Sequence, residues 1–148
     1  MDMALKNWAL RKSLWVYHVN TGACNNCDIE VLDLLTPRFD IERLGMMLVG
    51  SPRHADVLVV TGCCTRQAQP RLQEVYRQTA KPCAVLCIGS CAGAQGIFTE
   101  AYHVALPVDQ AIRQVDSAAI IAYVPGCPPK PEAMIDGVVK VMELLKKL

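Results

Sequence analysis

The stretch Asp56-Val57-Leu58-Val59-Val60-Thr61 constrains the fold of this chain more than any other. Its apolar residues follow one another without polar alternation, so neither face of the segment can be left in water. That is the pattern of a strand buried inside a parallel sheet. Gly62 ends it. Similar short runs recur along the chain, with helical patterns between them, which is the signature of an α/β domain. The spacing predicts a first strand at about Leu14 to Val19 and a helix from near Cys27, with Ile29, Leu32 and Leu35 at helical spacing and Pro37 closing it. From Phe39 to Gly50 the pattern is ambiguous: Phe39, Ile41 and Leu44 suggest a second strand, and Met46-Met47-Leu48-Val49 extends or follows it. A helix is expected over Arg66 to Thr79, with Leu72, Val75 and Tyr76 on one side and Pro70 in the first turn.

A fourth strand is expected at Cys83 to Ile88, then a glycine-rich loop from Gly89 to Gly96, a short helix at Val108 to Val115 and a fifth strand at Ala118 to Val124. The last helix spans Pro131 to Leu148, with Met134, Val138, Val141 and Leu145 on one face and Lys146 and Lys147 suited to its end. Five strands with helical crossovers predict a flavodoxin-like three-layer fold around a parallel sheet, with ligands outside the carboxyl ends of the strands. No repeat or linker divides the chain, so residues 1–148 are expected to form a single domain.

With 148 residues, 52% of them apolar and 20% charged, the chain can bury a core and is not disordered. A formal charge of +1 with scattered basic residues gives no footprint for nucleic acid. Met1 to Arg11 mixes Asp2, Lys6 and Arg11 among apolar residues, unlike a cleavable signal, and no run approaches the roughly 18 apolar residues of a membrane span. Eight cysteines are many for a chain of this size. Without a secretory signal, metal binding or catalysis explains them better than a disulfide framework.

Their placement narrows the chemistry. Cys24 and Cys27 form a CxxC pair after the first strand, in Gly22-Ala23-Cys24-Asn25-Asn26-Cys27-Asp28-Ile29-Glu30. Cys91 lies in Gly89-Ser90-Cys91-Ala92-Gly93 and Cys127 in Pro125-Gly126-Cys127-Pro128-Pro129, each after a strand-like run. The topology gathers such residues at one edge of the sheet, and four thiolates are the usual complement of an iron–sulfur cluster. Zinc and thiol–disulfide exchange also use CxxC. A dithiol exchanger leaves Cys91 and Cys127 without a task, and structural zinc usually draws on paired knuckles, so the cluster is favoured while zinc stays open.

Cys63 and Cys64 also follow a strand and compete as ligands. Adjacent side chains on extended backbone diverge, which favours packing or supporting roles for both. Cys83 and Cys87 fall inside an apolar run and read as small buried hydrophobes. Glu30 suits a proton relay beside the cluster and equally an exposed helix carboxylate. His54 reads as a loop or capping residue, and His18 and His103 carry no argument. There is no Walker-type phosphate loop and no dinucleotide GxGxxG.

These motifs, together with Ser51-Pro52-Arg53-His54-Ala55-Asp56-Val57-Leu58-Val59-Val60-Thr61-Gly62, Thr65-Arg66 and the continuation Pro128-Pro129-Lys130-Pro131, give the chain a specific likeness. It resembles the small subunit of energy-converting, Ech-type nickel–iron hydrogenases, related to the twenty-kilodalton cluster-bearing subunit of respiratory complex I. The resemblance covers nearly the whole chain. It implies one 4Fe–4S cluster held by Cys24, Cys27, Cys91 and Cys127, relaying electrons between a ferredoxin-like iron–sulfur subunit and a nickel–iron centre in a hydrogenase large subunit. It also implies membrane ion-translocating partners that hold the chain at the cytoplasmic side of the cell membrane, and no catalysis by the chain alone.

Complex I-type members carry adjacent cysteines where this chain has CxxC, and longer hydrogenase small subunits add a carboxyl-terminal domain beyond the last helix. Both points favour the hydrogenase branch, with electron delivery to a quinone in a complex I-like assembly as the alternative. A metal-binding or redox-sensing module is a third reading. Relatives commonly have Pro-Val or similar at Cys63-Cys64, so the resemblance assigns those thiols no role.

Overall fold

The computed structural model describes residues 13–145. The expectations for Met1 to Arg11 and for Lys146, Lys147 and Leu148 lie outside them. The chain runs through β1 (Leu14–Asn20), α1 (Asn26–Asp33), β2 (Met46–Leu48), β3 (Val57–Thr61), α2 (Ala68–Gln78), β4 (Ala84–Ile88), α3 (Gly89–Ala94), α4 (Val108–Arg113), β5 (Ile120–Val124) and α5 (Pro131–Leu145). All strand pairings are parallel, in the order β2-β1-β3-β4-β5. This is the expected flavodoxin-like arrangement, with the switch in strand order between β1 and β3.

The unbroken apolar run at 57–61 becomes β3, the middle strand, buried at every position. Its side chains alternate between two cores, because successive residues of a strand point to opposite faces. Val57 and Val59 pack with Leu86 and Ile88 beneath α1 and α5, which contribute Val31, Leu34, Met134, Val138 and Val141. Leu58 and Val60 pack with Val85 beneath α2 and α4, which contribute Leu72, Val75, Tyr76, Val108 and Ile112. Each fully buried Val or Leu of this kind contributes roughly 1.5–3 kcal/mol.

Three sequence expectations are corrected. The segment from Phe39 to Leu44 is no strand: Ile41–Leu44 is a 3-10 turn between Asp40 and Gly45, both at positive φ, and pairing begins only at Met46. On α1 and just beyond it, Ile29 and Leu32 are exposed, Leu35 is partly buried against the core, and Val31 and Leu34 are buried. Hydrogen bonds from the first turn to β1 and β3 set the rotation of this helix, so its apolar spacing alone misjudges the inward face. The segment after β4 begins as a helix, Gly89–Ala94, followed by a 3-10 turn at Gly96–Phe98. Gly89 leaves the strand at φ 88°, which turns the chain at once into α3, and the small residues Ser90, Cys91, Ala92 and Ala94 continue it.

Candidate metal centre at the carboxyl edge of the sheet

Four loops meet beyond the carboxyl ends of β1, β3, β4 and β5, and side-chain hydrogen bonds lash them together. Thr21, fully buried after β1, donates its hydroxyl to the Thr61 carbonyl at 2.8 Å. Its own carbonyl accepts the Thr65 amide at 2.9 Å, and its hydroxyl oxygen accepts the Cys64 amide at 3.3 Å. Gly62 makes this contact possible: at φ 93°, a Cβ there would stand 2.5 Å from the Ala23 nitrogen. Ser90, at the start of α3, binds the Gly126 carbonyl through both its amide (2.8 Å) and its hydroxyl (3.1 Å). The loop bearing Cys127 is thereby tied to the helix bearing Cys91.

On this scaffold the four thiols singled out by the sequence lie on three of the loops at this edge, although among the described residues no three His, Cys, Asp or Glu side chains are grouped to hold a metal ion. Cys24 and Cys127 are exposed, and Cys27 and Cys91 are half-buried. Burial, and then the neighbouring thiols of Cys24, Cys91 and Cys127, push the Cys27 thiol up to about 11 from 9.0. Burial is also the first cause of the rise at Cys91, followed by Cys127, Cys63 and Cys24. Gly89 packs against one of the four thiols: a Cβ at that position would approach the Cys27 Sγ to 2.7 Å.

The other cysteines differ. Cys63 and Cys64 are buried, with Cys64 at φ 51°, so the backbone kinks where extended geometry was expected. The Cys63 thiol donates to the Gly22 carbonyl at 3.5 Å, which supports the turn before the CxxC pair. Cys83 and Cys87 are core residues, as read from the sequence. Glu30 is half-buried beside an open surface depression lined by Ile29, Leu32, Asp33 and Thr36. His54 sits in the 3-10 turn Pro52–His54, edge-on to Trp15.

Several residues at this edge escape a reading of the sequence. Asp28, in the first turn of α1, accepts hydrogen bonds from the Asn20 side chain and from the Thr61 hydroxyl. His18 Nε2 lies 3.1 Å from Asp28 Oδ1 and 3.0 Å from Thr61 Oγ1. Their only signal is a polar residue at the end of each of two apolar runs, Asn20 and Thr61. Ser90 falls inside a cysteine motif, but its partner is 36 residues away in sequence.

The fold and the site together define a doubly wound α/β protein with cysteines on the loops at its strand ends. Residues 24–141 match the family described as NADH ubiquinone oxidoreductase, 20 Kd subunit. The sequence is 48% identical over 137 residues to a probable membrane-bound hydrogenase subunit, mbhJ, of Pyrococcus furiosus, covering 93% of this chain and 78% of that one. It is 39% identical over 143 residues to a subunit of the NADH-quinone oxidoreductase of Amoebophilus asiaticus, covering 96% and 84%. A chain of the membrane-bound sulfane sulfur reductase, an archaeal respiratory membrane complex, superposes with a TM-score of 0.81 at 36% identity, covering 99% of this chain and 77% of that one. The chain belongs to the 20 Kd subunit family of NADH ubiquinone oxidoreductase, with the hydrogenase small subunits related to it. It is an electron-transfer subunit of the hydrogenase or complex I-like kind. Among the described residues no helix is long and apolar enough to cross a membrane.

Proposed function

We propose that residues 1–148 form one iron–sulfur domain whose Cys24, Cys27, Cys91 and Cys127 hold a single 4Fe–4S cluster. In this reading the chain is the electron-transfer small subunit of a membrane-associated nickel–iron hydrogenase. The carrying observation is that the loops after β1, β4 and β5, at one edge of a parallel sheet, bear these four cysteines, although they span more than a hundred positions of sequence. The donor set fits: soft thiolates suit iron–sulfur centres. Structural zinc draws on paired knuckles, whereas Cys91 and Cys127 are single donors on separate loops, which supports iron and sulfide over zinc.

When bound, the cluster supplies one-electron transfer at this edge. The chain's residues do the rest. Cys27 and Cys91, raised by burial, must release their protons to become ligands, so loading the site is coupled to proton loss. Gly89 leaves room beside Cys27, and the Thr21 and Ser90 hydrogen bonds fix the loops against one another. The exposed Ile29 and Leu32, next to the CxxC pair, form an apolar patch suited to the hydrogenase large subunit. Ferredoxin-like donors and membrane ion-translocating subunits complete the assembly, at the cytoplasmic side of the membrane.

The native complex, purified with its partners, should contain nickel, iron and acid-labile sulfide and evolve hydrogen from a low-potential donor. A complex without nickel that reduces quinone would replace the hydrogenase reading with the complex I-like alternative. Zinc in place of iron and sulfide would overturn the cluster itself.

A further inference from the structure

One hydrogen-bonded network joins the loop of Cys24 to the helix of Cys27, and its hub is Asp28. Asn20 Oδ1 accepts the amides of Gly22 (2.9 Å) and Ala23 (3.0 Å), just before Cys24. The same side chain donates its Nδ2 to Asp28 Oδ2, while Asp28 Oδ1 accepts from Thr61 at the end of β3 and faces His18. The carboxylate thus sits directly after a thiol of the centre, turned towards the sheet and not towards water. Its side chain is 15% exposed. Neither side-chain capping of α1 nor core packing calls for it there: no side chain caps the helix, whose N-cap is Asn25.

We propose that Asp28 is a positioning residue that sets the reduction potential of the centre. Pinned beside Cys27 by Asn20, Thr61 and His18, its carboxylate makes the addition of an electron to the neighbouring thiolate-ligated centre less favourable. The inference rests on the four-thiolate reading. A fixed negative charge in a poorly solvated place opposes added negative charge nearby, and its effect is weakly screened by salt. The network matters because it denies the carboxylate the option of swinging into solvent. A centre held at low potential gives up its electron readily, as a relay to a low-potential acceptor must.

Asp28→Asn and Thr61→Val, each made in the full complex, test the inference by iron and sulfide content and by redox titration followed by electron paramagnetic resonance. Asp28→Asn keeps the shape and an oxygen for Thr61 but removes the charge. It should retain its iron and shift the reduction equilibrium on the order of tenfold towards the reduced form, ~59 mV for a one-electron couple. Thr61→Val removes one hydrogen bond and keeps the carboxylate, and should shift it by less than about threefold. An unchanged potential in Asp28→Asn overturns the inference. So does loss of iron as severe as in Cys27→Ser, because Asp28 would then only hold the loop, and so does an equal shift in Thr61→Val. Failure of the four-thiolate reading itself shows earlier, as a wild-type complex without the iron–sulfur signal.

Discussion

Gly89 and Gly93 lie in the same short helix, and the structure assigns opposite signs to the same substitution at the two. At Gly89, φ is 88°, and a Cβ would meet the Cys27 Sγ at 2.7 Å. An L-residue in left-handed backbone costs about 1–2 kcal/mol, and forcing an extra methyl into a filled site typically costs about 1–3 kcal/mol more. Gly89→Ala should therefore destabilise by about 2–5 kcal/mol. For a chain of this size that lowers the melting temperature by roughly 4–20 °C. The clash falls on a proposed ligand, so the purified complex should also lose iron. At Gly93 the backbone is ordinary helix, and a Cβ would meet only the Tyr123 ring at 3.5 Å, a normal contact. Gly93→Ala should be neutral or stabilising by about 0.5–1 kcal/mol, with its iron intact. Melting curves and iron assays of the two variants decide the matter. A Gly89→Ala protein that melts with the wild type and keeps its iron would refute the argument.

Replacing Cys24, Cys27, Cys91 or Cys127 by Ser should each remove most of the bound iron, whereas Cys83→Ala or Cys87→Ala should leave it near normal; metal analysis of the complexes distinguishes the two groups. Burial pushes Cys64 up to about 11 and Cys87 up to about 12 from 9.0, so the fold keeps both protonated where the unfolded chain ionises. The stability this provides is complete below about pH 9 and is lost as pH rises through the folded values. Each group contributes at most about 1.4 kcal/mol per pH unit, and Cys87→Ala should flatten the decline in urea midpoints measured across that range. Ile29→Asp with Leu32→Asp should leave the melting of the chain almost unchanged, since both are exposed, but should reduce its co-purification with the large subunit. Leu86→Ala, in a fully buried site, should cost about 2–5 kcal/mol by denaturant titration.

The strands were legible because their signal is local. Val57–Thr61 and Ala84–Ile88 are unbroken apolar runs, and a parallel sheet needs no more than that to declare itself. The cysteines at strand ends were legible for the same reason, since topology carries such positions to one edge. What the sequence concealed depended on partners far along the chain. The inward face of α1 is set by Asp28 reaching Asn20 and Thr61, so hydrophobic spacing pointed to Ile29 and Leu32 instead of Val31 and Leu34. The helix at Gly89–Ala94 was concealed because glycine marks loops in general, whereas one glycine here starts a helix by adopting a positive φ. The kink at Cys64 depends on the Thr21 hydroxyl, 43 residues earlier.

The Ser90–Gly126 hydrogen bonds, which tie α3 to the loop after β5, bear on how such a chain is made. A ribosome delivers Ser90 and Cys91 well before Gly126 and Cys127, and β5 is the edge strand that pairs only with β4. A chain halted before Val124 lacks α5, which covers one of the two cores, as well as the Gly126 carbonyl that Ser90 binds and the fourth thiol. Completion of the edge therefore waits until the residues beyond β5 have been delivered.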